Sequence, residues 1–241
     1  VLGDKIVHKQ DIDSEFLLLQ INDSLFPIGS YSHSFGLETY IQKGFVRDEK
    51  TVMQYLYRNL KGSFMHTELL CASFAYDYAL QRHFKKLIEL DRKLYALKAA
   101  REIREASEKL GQRFLKTVSA LQLSMDHTVL DKYVHAGKVA GVSANHCVAY
   151  GVLCAASRVN KAQALRTFLY AQASAIVTNC VKTVPLSQTV GQNILSKCYP
   201  VFVEILEEIE NLKQDDIGLS MPGFEIRCMQ HETLYSRLYM S

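Results

Sequence analysis

The side chains able to do chemistry in this chain are eight histidines, six cysteines and a scatter of serines and acids. Their spacing decides what they can do together. A nucleophile elbow needs Gly-x-Ser-x-Gly to hold its serine on a strained turn; around Ser34 the run is Ser32-His33-Ser34-Phe35-Gly36, without the first glycine. His33 adjoins two serines, but neighbouring helical residues point apart and cannot share a proton. A phosphate loop needs the spacing G-x-x-x-x-G-K, and ahead of Gly137-Lys138 the required position is Lys132. A helix-borne zinc pair needs histidines one turn apart. No two histidines here are so placed, and His231-Glu232 is followed by Tyr235 where H-E-x-x-H has its second histidine. Cys228 and His231 share an i, i+3 face, which makes at most a weak two-donor site. Cys71, Cys147, Cys154, Cys180, Cys198 and Cys228 contain no C-x-x-C pair and sit in apolar sequence. That is how reduced core cysteines are used, not a disulfide or zinc framework. The expectation is a protein with no catalytic residue, cofactor or metal of its own.

Three stretches carry more polar chemistry than packing demands. Leu18–Glu38 spends many hydroxyls and amides on one turn, among them His33, Ser34 and Glu38; these either satisfy helix ends internally or form a contact surface. Val184–Gln192 places Gln188 and Gln192 at i, i+4, where two amides can bridge to a neighbouring chain or to each other. The last is Met229–Ser241, in which Leu234 and Leu238 form one stripe and Tyr235 and Tyr239 the next, with Arg237 between. Tyr and Arg anchor interfaces. A terminal segment of this kind docks on its own domain or orders on a partner; the partner is the expectation here. Arg237 also has the chemistry of an arginine finger aimed at another protein's nucleotide.

The elements that must position these residues read as helices. Val52, Leu56, Leu60 and Phe64 recur every four residues after an Asp48 cap, and the pattern slips near Gly62, which predicts a kink or break. Further helices are expected over Ser14–Ile21, Ser32–Gln42 (Ser32 as cap), Phe84–Leu97, Ala100–Leu121 and His127–Val139. Ser143–Ser157 and Ala162–Lys182, rich in small residues, are expected at the buried centre. Ser187 caps a helix to about Leu212 that kinks at Pro200, Gln214–Gly223 is a loop, and Phe224–Tyr239 is helical in period. No strict alternation and no repeat occurs. The fold class expected is all-α, a single-domain bundle of about nine or ten helices over 1–241, with 1–13 flexible and 224–241 a partner-dependent tail.

Composition agrees and excludes several functions. Of 241 residues, 48% are hydrophobic and 22% charged, the balance of an ordinary globular chain. A net charge of +3 is too small for a nucleic-acid binder. The longest apolar run, Cys147–Ala156, is half a membrane span. With no basic-then-apolar leader at its start, the expected location is cytoplasmic, with neither nucleic acid nor membrane as partner.

Taken together, Leu18–Glu38, Arg104-Glu105-Ala106-Ser107 with Gly111, the small-residue helix pair, Pro185–Gln192 and the C-terminal stretch resemble the urease accessory protein F family (UreF). The match runs along nearly the whole chain, departing at Ser187, where the family more often has Gly, and at Met240, where it more often has Arg. The resemblance implies an all-helical, non-enzymatic homodimer that assembles with the accessory protein UreD (or UreH) and the nickel-carrying GTPase UreG. Together these deliver nickel to apo-urease. By position, Tyr235, Arg237, Leu238 and Tyr239 would order against UreD/UreH, supported by Gln188 and Gln192. The Leu18–Glu38 stretch and the small-residue helices would serve the dimer or the GTPase-facing surface. A polar-lined passage for nickel is a further expectation. The alternatives are a GTPase-activating partner that supplies Arg237 in trans, and a nickel-binding chaperone using His231, Cys228 or His33.

Overall fold

The computed structural model describes residues 9–219 and 221–241. Its α-helical segments are α1 (Lys9–Ile21), α2 (Leu37–Gln42), α3 (Glu49–Arg58), α4 (Leu70–Leu80), α5 (Phe84–Leu97), α6 (Arg101–Ala120), α7 (His127–Ala140), α8 (His146–Ala156), α9 (Lys161–Thr183), α10 (Gln188–Lys197), α11 (Tyr199–Glu208) and α12 (Pro222–His231). A π-helical segment, Asn59–Leu69, fuses α3 and α4 into one rod, and α10 and α11 are two arms of one bent helix, leaving ten helical bodies among the described residues. There is no strand among the described residues. The expected flexible segment 1–13 lies partly outside them, and residues 9–13 open α1.

The centre is α8. Every residue from Cys147 to Ala156 is buried, and the helix lies chiefly against α4 and α6. Gly151 makes this possible, since a Cβ there would stand 2.4 Å from the Ala72 carbonyl oxygen and 3.0 Å from the Tyr76 nitrogen. The N-terminal end of α8 is pinned by Asp91 of α5. Its carboxylate accepts from the Asn145 amide nitrogen at 2.7 Å and the Tyr133 hydroxyl at 2.6 Å, while Ser107 donates to the Asn145 side chain at 2.9 Å. Burial pushes the Asp91 carboxyl up to about 7 against these hydrogen bonds. All six cysteines are free and buried, and burial raises their thiols, those of Cys154 and Cys180 to about 12.

Several elements depart from the sequence reading, each for a local reason. The slip at Gly62 is not a break: the rod continues with π-type spacing, an irregularity common at functional sites. Asp48 caps α3 through a box with Thr51, and Ser187 caps α10 through the Val190 amide, both as expected. The helix after Ser187 divides at Cys198, and Pro200, which lacks an N–H, falls in the first turn of α11; that segment ends at Glu208 rather than Leu212. Ser32 caps no helix. It closes a 3-10 turn, Ser30–Ser32, and α2 begins only at Leu37 behind Phe35 and Gly36, which take φ of 50° and 85°. The loop expected over Gln214–Gly223 holds a 3-10 turn at Gln214–Asp216 and already contains the start of α12 at Pro222. The helix expected to Tyr239 ends at His231: the Glu232, Thr233 and Leu234 amides fall back to carbonyls three residues earlier, and farther on the Leu238 and Tyr239 amides go to Glu38. No helix among the described residues is long and apolar enough to cross a membrane.

Candidate functional site

Those amide partners define the site. After α12, residues 232–241 turn and then run as an irregular, bent strap over the turn between α1 and α2. Glu38, on α2, accepts from the Leu238 amide at 2.8 Å and the Tyr239 amide at 3.1 Å. Gln42, one turn on, donates to the Ser236 carbonyl at 2.7 Å, and the Met240 amide donates to the Ser32 carbonyl at 2.9 Å. The Ser34 and Phe35 amides converge on the Ser241 main-chain oxygen at 2.7 and 3.0 Å, joined by the Ser34 hydroxyl at 2.7 Å. Successive N–H groups aimed at one oxygen form a concave nest, which the left-handed Phe35-Gly36 pair shapes. Gly36 is required twice, for its φ of 85° and because a Cβ would stand 2.6 Å from Cys228 Sγ on α12.

Charged groups close the strap from the other side. His231, fully buried at the end of α12, faces Glu102 of α6 through Nδ1 at 2.6 Å and Glu38 through Nε2 at 3.2 Å. Arg237 donates to Glu102 at 2.6 Å, and Arg101 pairs with Glu232 at 3.2 Å. His33 Nδ1 lies 2.9 Å from the Ser241 hydroxyl, and its carbonyl accepts from Asn179 of α9 at 3.2 Å. Burial, reinforced by Arg113 and Lys109, lowers the His33 imidazole to about 4, so it is neutral near neutral pH.

The structure therefore gathers His33, Ser34, Glu38, Arg237, Leu238 and Tyr239 into one network from two distant stretches. Gln188 and Gln192 are exposed on α10, which packs on α9, and they stand outside it. Glu102, Asn179 and Gln42 also belong to the network and no local motif marked them. The strap's main chain is held inward while three of its large side chains turn out: Tyr235 is fully exposed, Leu238 is 77% exposed and Met240 60%. Tyr31, on the turn beneath, is also exposed.

Cys228 and His231 do share a face, but the thiol is directed at the Phe35 carbonyl and both ring nitrogens are taken by carboxylates. No group of three or more His, Cys, Asp or Glu side chains arranged to hold a metal occurs among the described residues. Arg237 is engaged with Glu102, so any role as a finger requires that pair to open.

A cavity of about 770 Å³ is lined by Tyr31 and Phe35 near the turn, by Leu18 and Ile21 of α1, and by Ser63, Glu68, Lys98 and His146; no strap residue lines it. Glu68 and Lys98 form an ion pair there. Burial opposes both charges, yet Lys98, with the Thr67 hydroxyl, holds the Glu68 carboxyl below the usual carboxylate range, and Glu68 raises the Lys98 ammonium. His146 is lowered by burial to about 4, and its Nε2 has no hydrogen-bond partner among the described residues.

Comparison with known proteins fits this architecture. The UreF family model matches residues 46–199. Urease accessory protein UreF of Bacillus sp. (strain TB-90) is 34% identical over 224 residues, 93% of this chain and 97% of that protein. The protein of the same name from Haemophilus influenzae is 36% identical over 224 residues, covering 93% and 94% of the two chains. That from Actinobacillus pleuropneumoniae serotype 5b is 35% identical over 229 residues, covering 93% and 97%. With a helical bundle, a matching family model over more than half its length and relatives of this identity along nearly all of it, the chain belongs to the UreF family of urease accessory proteins.

Proposed function

We propose that this protein serves urease maturation as a non-enzymatic scaffold whose working surface is the strap and the turn beneath it. The observation that carries this reading is the division of labour within residues 232–241: amides and carbonyls bind inward to Glu38, Ser32, Ser34 and Gln42, leaving Tyr235, Leu238 and Met240 projecting outward. Large side chains held out by an anchored backbone lose little conformational freedom on binding, which favours a protein partner. The partner assigned to this surface is UreD/UreH. A homodimer of the chain then bridges it to the GTPase UreG, and the assembly passes nickel, its cargo, to apo-urease. Scaffolding can bias the GTPase cycle only by contacting its nucleotide states differently. The cavity is lined mainly by apolar side chains, and a polar route for that cargo would rest on its few hydroxyls, the Glu68–Lys98 pair and His146. In this reading Arg237 anchors the strap through Glu102.

The test replaces Tyr235 and Leu238 together with Ala. Their side chains meet solvent, so helical content and thermal midpoint should be unchanged, whereas capture of UreD/UreH should fall at least tenfold, as for interface anchors. Undiminished capture would remove the strap from the interface.

A further inference from the structure

Two neighbouring helices carry a concentrated charge of one sign. α5 and α7 run parallel, joined near their starts by the Arg82–Asp126 pair at 2.8 Å and farther on by Arg92, which donates to the Ala140 carbonyl at 3.1 Å. Their inner sides are buried, with Leu87 and Leu94 on α5 and Leu130 and Tyr133 on α7. The outer sides expose Lys85, Lys86, Arg92 and Lys93 on α5 and Lys132 and Lys138 on α7, against the carboxylates of Glu89 and Asp131. Six cations against two carboxylates leave an excess of four, more than the net +3 of the whole chain, so the rest of the molecule is slightly acidic. We propose that the outer face of α5 and α7 docks an acidic segment of a protein partner.

The chain itself does not neutralise this face. None of the six cations forms an ion pair among the described residues. Arg92 and Lys93 donate to main-chain carbonyls, of Ala140 and of Gln214 at 2.7 Å, and Lys86 lies 5.2 Å from the centre of the Tyr78 ring. Such contacts steady the side chains and leave their charges uncompensated. Lys85 and Lys86 also stand in the first turn of α5, which has no acidic residue and no side-chain cap. Cations there oppose the positive end of the helix dipole, a placement that costs local stability and that a docked anion offsets. Protein is favoured over the other polyanions by what accompanies the charge. Glu89 and Asp131 offer acceptors to a partner's own donors and only repel phosphates. Stacking on nucleic acid needs exposed aromatic rings, and residues 85–93 and 131–139 expose no Phe or Tyr. Insertion into lipid needs an apolar face, and Val139 is the one large hydrophobic exposed in those two spans. The strap bonds to α2, α6 and the turn before α2, so the two surfaces are separate.

The test is binding of a fluorescein-labelled oligoglutamate peptide to the full chain, read by anisotropy. It is run at about 0.01 M ionic strength, where charges act over about 30 Å, and at about 0.15 M, where they act over about 8 Å. Binding should be present at the lower salt and weaken at the higher. Lys85→Glu with Lys86→Glu should weaken it at least about tenfold, while the thermal midpoint holds or rises, because glutamates suit the first turn of α5. Lys132→Glu with Lys138→Glu should also weaken it, and decides the matter if the first pair does not fold. Lys43→Glu with Lys116→Glu makes the same change of charge at exposed positions outside the face and should leave binding nearly unchanged. No binding at the lower salt, an equal loss in the Lys43 and Lys116 variant, or tighter binding of oligothymidylate or of phosphatidylserine vesicles overturns the proposal. The probe is a peptide, so the outcome is distinct from whether the strap captures UreD/UreH.

Discussion

Replacing Glu38 with Gln isolates the contact on which the strap most depends. The carboxylate accepts two amides, at 2.8 and 3.1 Å, on adjacent residues of the strap. Gln offers one oxygen, so one amide keeps a partner and the other meets an NH2 group. A hydrogen bond to a charged acceptor is worth about 1.5–3 kcal/mol, and about 1.4 kcal/mol is tenfold, so the undocked population should rise about 10- to 150-fold. The peptide bond between Arg237 and Leu238 supplies the assay. Trypsin cuts after Arg237, yet the Leu238 amide is bonded to Glu38 while the strap is docked. When reclosing is faster than cutting, the cleavage rate follows the open population. Release of residues 238–241, followed by mass, should accelerate by that factor in Glu38→Gln while the helical core resists as before. An unchanged rate, or equal acceleration of cuts throughout the bundle, would refute the assignment of Glu38 to the strap rather than to the fold as a whole.

Other consequences follow from the same coordinates. Removing residues 234–241 should leave a folded helical dimer on a sizing column while abolishing capture of UreD/UreH; loss of the dimer as well would place these residues in the protein's own core. Gly151→Ala should lower stability by about 1–3 kcal/mol in urea unfolding, since the added carbon meets Ala72 and Tyr76 main-chain atoms; a neutral result would mean α4 and α8 part freely. His33 and His146, both lowered to about 4, bind protons more readily unfolded, so they reduce stability as pH falls from about 6.5 to 4. Asp91, raised to about 7, acts in the opposite sense over the same range. Urea midpoints should therefore fall from pH 7 to pH 5, and fall more steeply in Asp91→Asn; an identical slope in the variant would contradict the raised Asp91.

How much of this was legible in the sequence depends on the range of the interactions. Elements set by local chemistry were readable: the Asp48 and Ser187 caps, the small-residue centre at α8, and the span Phe84–Leu97. Departures arise where a distant group outbids a local one. Leu234, Leu238, Tyr235 and Tyr239 have helical spacing, but α12 ends at His231 in a tighter turn, and Glu38 from far along the chain takes the Leu238 and Tyr239 amides. The Ser34 and Phe35 amides go to Ser241, which moves the start of α2 past Ser32. The slip at Gly62 was visible, although sequence alone could not distinguish a break from a π segment; Met221, against which a Gly62 Cβ would press at 2.7 Å, is remote in sequence. Leu18–Glu38 and the C-terminal stretch each stood out for their polar chemistry, yet that they satisfy one another required coordinates. Glu102 carried no signal, being one acid among many on α6.

The most direct test is urease activation reconstituted from apo-urease, nickel, GTP, UreD/UreH and UreG, with and without this chain, reading nickel bound per urease and phosphate released. A scaffold whose chemistry faces outward predicts that nickel loading depends on the chain and that the chain alone releases no phosphate from GTP. Full loading in its absence, or GTP hydrolysis by the purified chain, would contradict the account.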